Sequence, residues 1–325
     1  MMSYIIYNRR IVMTNSVFWG EKRYYSLDYY IKHTFGEKLY KLSLDGGMTC
    51  PNRDGTLGTH GCIFCSAGGS GDFAASRTLS IKEQLEQAKE KVSQKHTSSS
   101  YIAYFQAYTN TYAPLPYLER VFTDAIMEPE VKVLSIATRP DCLSSNVLDL
   151  LESLNKIKPI WIELGLQTIH KSTSDFIRRG YELDVFEKAV YDLKKRGIKV
   201  IVHTILCLPN EDKSMMFDTI SHLNKMPIDG IKLQLLHVLK GTDLATHYEK
   251  EPFYLPTLEE YLELLGFIIS HLRPDIVIHR ITGDGPKALL IAPLWTGNKR
   301  LVLNSIQKYF KDSDIWQGKN YSPDF

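Results

Sequence analysis

An alternation of two periodicities constrains this chain more than any other feature. Apolar runs rich in β-branched and aromatic residues recur at 38–44, 101–106, 131–138, 160–167, 198–206 and 230–238, and stretches with helical spacing lie between them. A Ser80/Glu83 capping pair opens the helix predicted over 81–92, and Asp184 with Glu187 opens one over 185–193 that Gly197 ends. Further helices are expected at 115–127, 144–156, 214–226 and 257–272, with a seventh strand candidate at 276–281. Strand-helix-strand order implies a parallel sheet joined by right-handed crossovers, either open or closed into a barrel. Period two decides between them. On the fourth strand it puts Trp161, Glu163, Gly165 and Gln167 on one face and Ile162, Leu164 and Leu166 on the other. The first face is too polar for a flat sheet between helices but suits a ligand-holding lumen, and the sixth strand likewise groups Lys232 with Gln234. The expected fold is α/β: a partial parallel (β/α)6 TIM-like barrel with its active site at the C-terminal strand ends.

At 325 residues and 44% hydrophobic content the chain can bury one large core. The expected division is an N-terminal extension at 1–25, the barrel at 26–272, and a C-terminal extension at 273–325 that is a candidate substrate-binding element. Residues 1–12 show little organisation, and Met13 is a candidate alternative start. A net charge of +2 excludes nucleic-acid binding by bulk charge alone but not by a local patch. No run approaches the roughly 18 apolar residues that span a bilayer, and Arg9 and Arg10 precede no signal-peptide core. The expectation is a cytoplasmic protein without membrane contact. Three of the five cysteines fall within sixteen residues, which in a reducing compartment points to metal or redox chemistry rather than disulfides.

Those three, Cys50, Cys62 and Cys65, follow the first strand with C-x11-C-x2-C spacing, where a barrel performs its chemistry. Three thiolates on a four-iron cluster leave one iron free for an exchangeable ligand. The alternative is structural zinc with His60 completing a Cys3His set.

The ending Cys62-Ile63-Phe64-Cys65 resembles the motif of the radical S-adenosylmethionine (SAM) superfamily, and the long first spacing is similar to that of the Elongator catalytic subunit. The likeness extends through Thr138-Arg139-Pro140-Asp141, Glu163-Leu164-Gly165-Leu166-Gln167, Arg179-Gly180-Tyr181 and Leu208-Pro209, which resemble blocks of the Elongator and coproporphyrinogen dehydrogenase branches. The segments 44–47, 50–56, 105–111 and 279–286 resemble a bacterial family of this superfamily that looks like a tRNA-processing branch. The resemblance implies a 4Fe-4S cluster on Cys50, Cys62 and Cys65, with SAM as cosubstrate cleaved to a 5′-deoxyadenosyl radical, and a flavodoxin or ferredoxin-type electron donor.

It also implies roles for single residues. Phe64 lies against adenine, Gln167 contacts ribose, and Arg179 pairs with the methionyl carboxylate, with Arg178 as its neighbouring competitor. Glu163 belongs to the same cofactor-binding block, and Gln106 stands in for the amino-group contact where relatives carry Gly-Gly-Glu. Ordinary packing, a buried polar spacer and a solvated charge are the plain alternatives for Phe64, Gln167 and Arg179. Arg139 and Asp141 either pair structurally or face substrate. Arg280 and Asp284 are further substrate-site candidates and, with Trp295, Lys299 and Arg300, form a set of the type that grips a nucleotide. His203, His237 and His279 read as structural histidines, and Cys142 and Cys207 as small buried hydrophobes.

The resemblance points to modification of the tRNA wobble uridine, carboxymethylaminomethyl to aminomethyl, with Arg139 or Arg280 on the carboxylate and Trp295 or Tyr108 under the base. Lys194, Lys195, Arg196, Lys299 and Arg300 are the phosphate-contact candidates. A radical enzyme acting on a free metabolite and a zinc-stabilised binding module are the competing functions.

Overall fold

The computed structural model describes residues 18–69, 71, 74–93, 99–283 and 285–323. Asp284, residues 97–98 of a polar loop, and the first 17 residues of the expected N-terminal extension lie outside the described residues.

Seven strands form one parallel sheet in the order β1 (Tyr40–Leu44), β2 (Tyr101–Phe105), β3 (Val131–Thr138), β4 (Ile160–Gln167), β5 (Lys199–Leu206), β6 (Gly230–Leu235) and β8 (Val277–Arg280). This is the expected partial barrel with one strand more than six units supply, because β8 pairs parallel to β6. The 272/273 boundary therefore falls inside the folded unit. At the N-terminal end, Tyr25 accepts from the Ile278 amide at 2.7 Å and its own amide donates to Gln317 Oε1 at 2.8 Å, so residues ahead of 26 are built into the β8 edge. The remaining pair, β7 (Val238–Leu239) and β9 (Leu290–Ala292), is antiparallel.

The helices are α1 (Leu27–Phe35), α2 (Ile81–Ser93), α3 (Leu115–Ile126), α4 (Ser145–Asn155), α5 (Lys171–Phe176), α6 (Leu183–Lys195), α7 (Lys213–Asn224), α8 (Asp243–Lys250), α9 (Leu258–His271) and α10 (Lys299–Asp312). The Ser80/Glu83 box forms, with the Ser80 amide donating to Glu83 Oε2 at 2.8 Å and the Glu83 amide to Ser80 Oγ at 3.3 Å. The Asp184/Glu187 box does not. Helix α6 starts earlier, with Glu182 as its N-cap, which leaves Asp184 inside the first turn and Glu187 close to His222.

Side-chain layers explain how a charged lumen is tolerated. The odd-numbered β4 residues face inward, as period two requires. At the bottom, Leu39, Ile102, Val133, Trp161 and Ile201 pack against Ile31, Leu27, Tyr30 and Phe35 of α1, closing the barrel with an apolar plug. Trp161 is 1% exposed, and truncating it to alanine should cost about 3–5 kcal/mol. One step up lie Lys41, Tyr104, Ser135, Glu163, His203 and Lys232: the registers Tyr104↔Ser135 and His203↔Lys232 set four of them opposite one another in pairs, while Lys41 and Glu163, two residues lower on their strands, join through the bonds that converge on Glu163. Above them the lumen opens. The outward residues, among them Ile162, Leu164, Val200, Val202, Ile231 and Leu233, form the main core under the helices.

Candidate functional site

The cysteine loop is held by its own polar side chains before any ligand is considered. Asn52 donates to the carbonyls of Arg178 (2.8 Å) and Arg179 (3.2 Å), while its own carbonyl accepts from Gly61 N at 2.7 Å. Arg53 Nη2 donates to the carbonyls of Cys65 (3.1 Å) and Ser66 (2.7 Å). Gly61 is required where the loop turns over Arg53: its φ is +77°, and a Cβ there would lie 2.8 Å from Arg53 Nε. Backbone bonds from Ile63 N to Ile177 O (3.2 Å) and from Leu244 N to Ile63 O (2.8 Å) dock the loop on α5 and α8.

Cys50, Cys62 and Cys65 all carry free thiols and all line one pocket of about 950 Å³ at the barrel's open end, mouth included. Burial, reinforced by the neighbouring Cys65, pushes the Cys62 thiol up to about 12. A thiolate at that position needs a cation beside it, which iron supplies. Among the described residues no three His, Cys, Asp or Glu side chains converge as a single metal ion demands. His60, the fourth ligand that structural zinc would take, is exposed to solvent. Three cysteine thiols at one pocket, with His60 turned to solvent, match the donor set of a four-iron cluster that keeps one iron open.

The same pocket gathers Phe64, Gln106, Arg139, Glu163, Gln167, Arg179 and Arg280. Gln167 is reached through a bulge against β5, with φ at +63°, which turns the end of β4 over the lumen. Arg179 is 2% exposed and is fastened to backbone: Nη1 donates to Leu166 O (3.0 Å) and Thr168 O (2.6 Å), while Nε and Nη2 donate to Tyr181 O (3.1 and 2.9 Å). It is a clamp on the β4 end as well as a wall of the pocket. Arg178, its competitor, points away and pairs with Asp243 at 2.5 Å. Arg139 binds Asp141 through Nε (2.9 Å) and Nη2 (2.7 Å), gives Nη1 to Arg179 O (2.9 Å), and lies over the Tyr181 ring. Asp141 is thus turned toward Arg139, and it is not among the residues lining the pocket.

A second cavity, lined by His237, Leu239, Gly283, Gly285 and Pro286, adjoins the first and shares Phe64, Gln106, Gln234 and Arg280 with it. Gly283 and Gly285 build that wall by close approach: a Cβ on Gly283 would meet His237 Nε2 at 2.4 Å, and one on Gly285 would meet Nδ1 at 2.8 Å.

The pocket floor is the ionic layer. Glu163, fully buried, accepts from Lys41 Nζ (2.8 Å) and Ser135 Oγ (2.8 Å) on Oε1, and from His203 Nε2 (2.8 Å) and Lys232 Nζ on Oε2. Burial pushes its carboxyl upward, but Lys232 and Lys41 overcome that and hold it well below the ordinary carboxylate range. Burial draws Lys232 down to about 7 against the pull of Glu163, and burial with the Lys232 charge draws His203 down to about 4. Glu163 thus sits at the floor, one layer below Gly165 and two below Gln167. Sequence places Lys232 on the lumen face without showing its partner, and Tyr104, Lys41 and Tyr181 carry no signal beyond their strand or motif position.

Trp295 of the expected nucleotide grip and three of the phosphate-contact candidates are placed elsewhere. Trp295 donates from Nε1 to Pro256 O at 3.0 Å and packs on Tyr261, inside the helical layer. Lys194, Lys195 and Arg196 end α6 beside the start of β5, opposite the pocket, and pair with Asp229, Asp192 and Asp149. Their position before a strand, not after one, puts them on the wrong face to meet phosphates of a substrate entering the barrel. Tyr108 does line the pocket, with its hydroxyl donating to Ala67 O at 2.7 Å.

Comparison with known proteins gives a consistent picture. The sequence profile of the Radical SAM superfamily matches residues 55–223, and that of the Radical_SAM C-terminal domain matches 228–312. The chain is 44% identical to YtqA of Bacillus subtilis (strain 168), over 92% of this chain and 93% of that protein. It is 27% identical to the tRNA uridine(34) acetyltransferase of Methanocaldococcus jannaschii, over 54% of this chain but only 33% of that longer protein. In structure it resembles the archaeal Methanocaldococcus infernus Elp3 with a TM-score of 0.65 at 19% identity, covering 86% of this chain and 64% of that one, a likeness of fold.

Proposed function

The chain belongs to the Radical SAM superfamily, and we propose that it modifies the wobble uridine of tRNA by converting a carboxymethylaminomethyl side chain to aminomethyl. Members of the superfamily bind a 4Fe-4S cluster and SAM and draw an electron from a reductant, which we take to be a flavodoxin or ferredoxin-type protein. Cys50, Cys62 and Cys65 are the cluster ligands in this reading, with Phe64, Gln106 and Gln167 around SAM. When bound, these cofactors supply a 5′-deoxyadenosyl radical as hydrogen acceptor and a centre able to exchange one electron with substrate.

The observation that carries the reading is the pair of adjoining cavities. The one under the cysteine loop suits SAM, and the one walled by Gly283, Gly285 and Pro286 suits a flat base, with Phe64, Gln106, Gln234 and Arg280 on their common wall. The likeness to a tRNA uridine(34) acetyltransferase supports tRNA as the source of that base. The methylene between amine and carboxylate is the reactive position, since its radical is stabilised by both neighbours. Loss of one hydrogen atom to the radical and one electron to the one-electron centre leaves a protonated imine. Water adds to the imine carbon, the carbon–nitrogen bond breaks, and the two-carbon unit leaves as glyoxylate with the amine retained on the base. The protein's part is to orient the methylene and exclude bulk water until the hydrogen has moved.

Single-stranded loops can splay a base into such a cavity, and Tyr108 offers a ring at the rim. The ion-paired state of Lys194–Arg196, on the far face, favours instead a free metabolite that needs no phosphate contacts. Mass spectrometry of tRNA wobble nucleosides with and without the gene decides between them. Accumulation of the carboxymethylaminomethyl form in the deletion supports tRNA; identical profiles, with no tRNA retained at low salt, support a metabolite.

A further inference from the structure

Gln167 has little of its own to hold it. It follows the bulge at the end of β4, with φ at +63°, and its amide folds back over Gly165, where a Cβ would lie 2.7 Å from Nε2. Among the described residues, the group that reaches this amide is the hydroxyl of Tyr181, 3.5 Å from Oε1. That hydroxyl is itself fixed from several sides. It donates to Gly165 O at 2.6 Å, and the carbonyl of the same tyrosine accepts from Arg179 Nε and Nη2 at 3.1 and 2.9 Å. Two guanidiniums lie over the ring, with Arg139 Cζ 4.9 Å and Arg179 Cζ 4.8 Å from its centroid, and both are attracted by the ring quadrupole. Asp141 in turn holds Arg139 through two bonds. Gln167, Tyr181, Arg139 and Arg179 all line the pocket under the cysteine loop.

We propose that Tyr181 is a positioning residue for SAM, setting the Gln167 amide so that Gln167 takes the ribose. The proposal rests on the reading that Gln167 contacts ribose, and it gives the Arg139–Asp141 pair a task, which is to hold the Tyr181 ring. A hydroxyl has one proton to give and two lone pairs that receive. Gly165 O takes the proton, so the lone pairs are what Tyr181 offers to Gln167. The two ends of an amide exchange by a half-turn, and their hydrogen-bond partners decide between them. An acceptor at Tyr181 Oη selects the turn that brings Nε2 toward it, and Oε1 is left to accept from a ribose hydroxyl. Without the Tyr181 hydroxyl both turns are open, and the side chain regains rotamer freedom that binding must remove. Tyr181→Phe keeps the ring, its cationic contacts and the backbone carbonyl, so it isolates the hydroxyl.

The test uses the full chain carrying its cluster, without reductant, titrated by calorimetry with SAM and with its 2′,3′-dideoxy analogue. The ratio of the two affinities reports the ribose hydroxyls, whereas a general loosening of the pocket weakens both ligands together. Wild type should prefer SAM, and Gln167→Ala should lose that preference. Tyr181→Phe should reduce it roughly three- to tenfold, the worth of one neutral hydrogen bond. In the double variant Gln167→Ala/Tyr181→Phe the ratio should equal that of Gln167→Ala, because the tyrosine acts only through the glutamine. Iron content checks that each variant keeps its cysteine loop. If Tyr181→Phe does not hold iron, Arg139→Gln, which keeps the hydroxyl and removes one support of the ring, takes its place, and a lowered ratio is again expected. A wild-type ratio in the Tyr181→Phe or substitute variant, or a further drop in the double variant, overturns the proposal while Gln167→Ala upholds the ribose contact. A wild-type ratio in Gln167→Ala, or equal binding of the two ligands by the wild type, removes the ribose contact and the proposal together.

Discussion

Arg179 Nη1 lies 3.0 Å from the carbonyl oxygen of Leu166, and that bond ties the wall of the cysteine pocket to the strand end that presents Gln167. Four of its five N–H groups go to backbone: one from Nε, two from Nη1 and one from Nη2. One Nη2 N–H remains, which in the proposed reading serves a SAM carboxylate. Arg179→Ala should therefore weaken SAM binding and also lower stability by about 2–4 kcal/mol, because buried carbonyls lose their partners. Arg178→Ala should change neither. Calorimetric SAM titration together with denaturant unfolding checks both effects, and a loss of affinity without loss of stability would show that the clamp contributes little.

Single replacement of Cys50, Cys62 or Cys65 by alanine should strip most of the iron and abolish 5′-deoxyadenosine formation, since each thiolate fills one of three protein positions on the cluster. Cys142→Ala and Cys207→Ala should retain iron. Cys207 lies in the core, and Cys142 is beside Asp141. Iron analysis after anaerobic reconstitution reads the difference; parental iron content in Cys62→Ala would overturn the ligand assignment.

The tail of the cysteine loop depends on Gly69, whose φ is +57° and where a Cβ would sit 2.3 Å from the Tyr108 ring. Gly69→Ala must displace that ring or the loop, so it should lower SAM affinity while the three cysteines still bind iron. Tyr108→Ala placed in the same chain removes the collision and should recover part of the loss, leaving only backbone strain of about 1–2 kcal/mol. Failure of that rescue would place the defect in the backbone alone.

Period two made the barrel and its inward face legible. A strand bearing Trp161, Glu163, Gly165 and Gln167 on one side has no place in a flat sandwich, and the structure puts those four in successive layers from plug to rim. What sequence could not display was the use of each charge. Arg179 reads as a cofactor ligand, yet most of its donors are satisfied by carbonyls brought in by the chain reversal at 166–181. The run Lys194–Arg196 looks like a phosphate patch until the direction of the strand that follows places it on the far face. Asp184 and Glu187 have capping-box spacing, but Glu182 begins the helix, so the box has no end to cap.

The ionic layer sets the acid limit of the fold. Burial and the Lys232 charge draw His203 down to about 4 from an ordinary 6.5, and burial with the Lys41 charge draws His279 well below the same value. Both therefore bind fewer protons folded than unfolded over this window, so stability falls as pH drops from about 6.5 toward 4. His203 contributes up to about 3 kcal/mol over that span at 1.36 kcal/mol per unit, less to the extent that water reaches its edge through the pocket. His203→Gln keeps a donor for Glu163 while removing the titration, and should flatten part of the slope; what remains belongs to His279 and, toward pH 4, to carboxylates held below their ordinary range such as Glu163. Anaerobic denaturant unfolding at half-unit pH steps, followed by tryptophan fluorescence, measures it. Equal slopes in wild type and His203→Gln would mean that His203 binds its proton equally in both states, and that the cations around Glu163 do not hold it neutral.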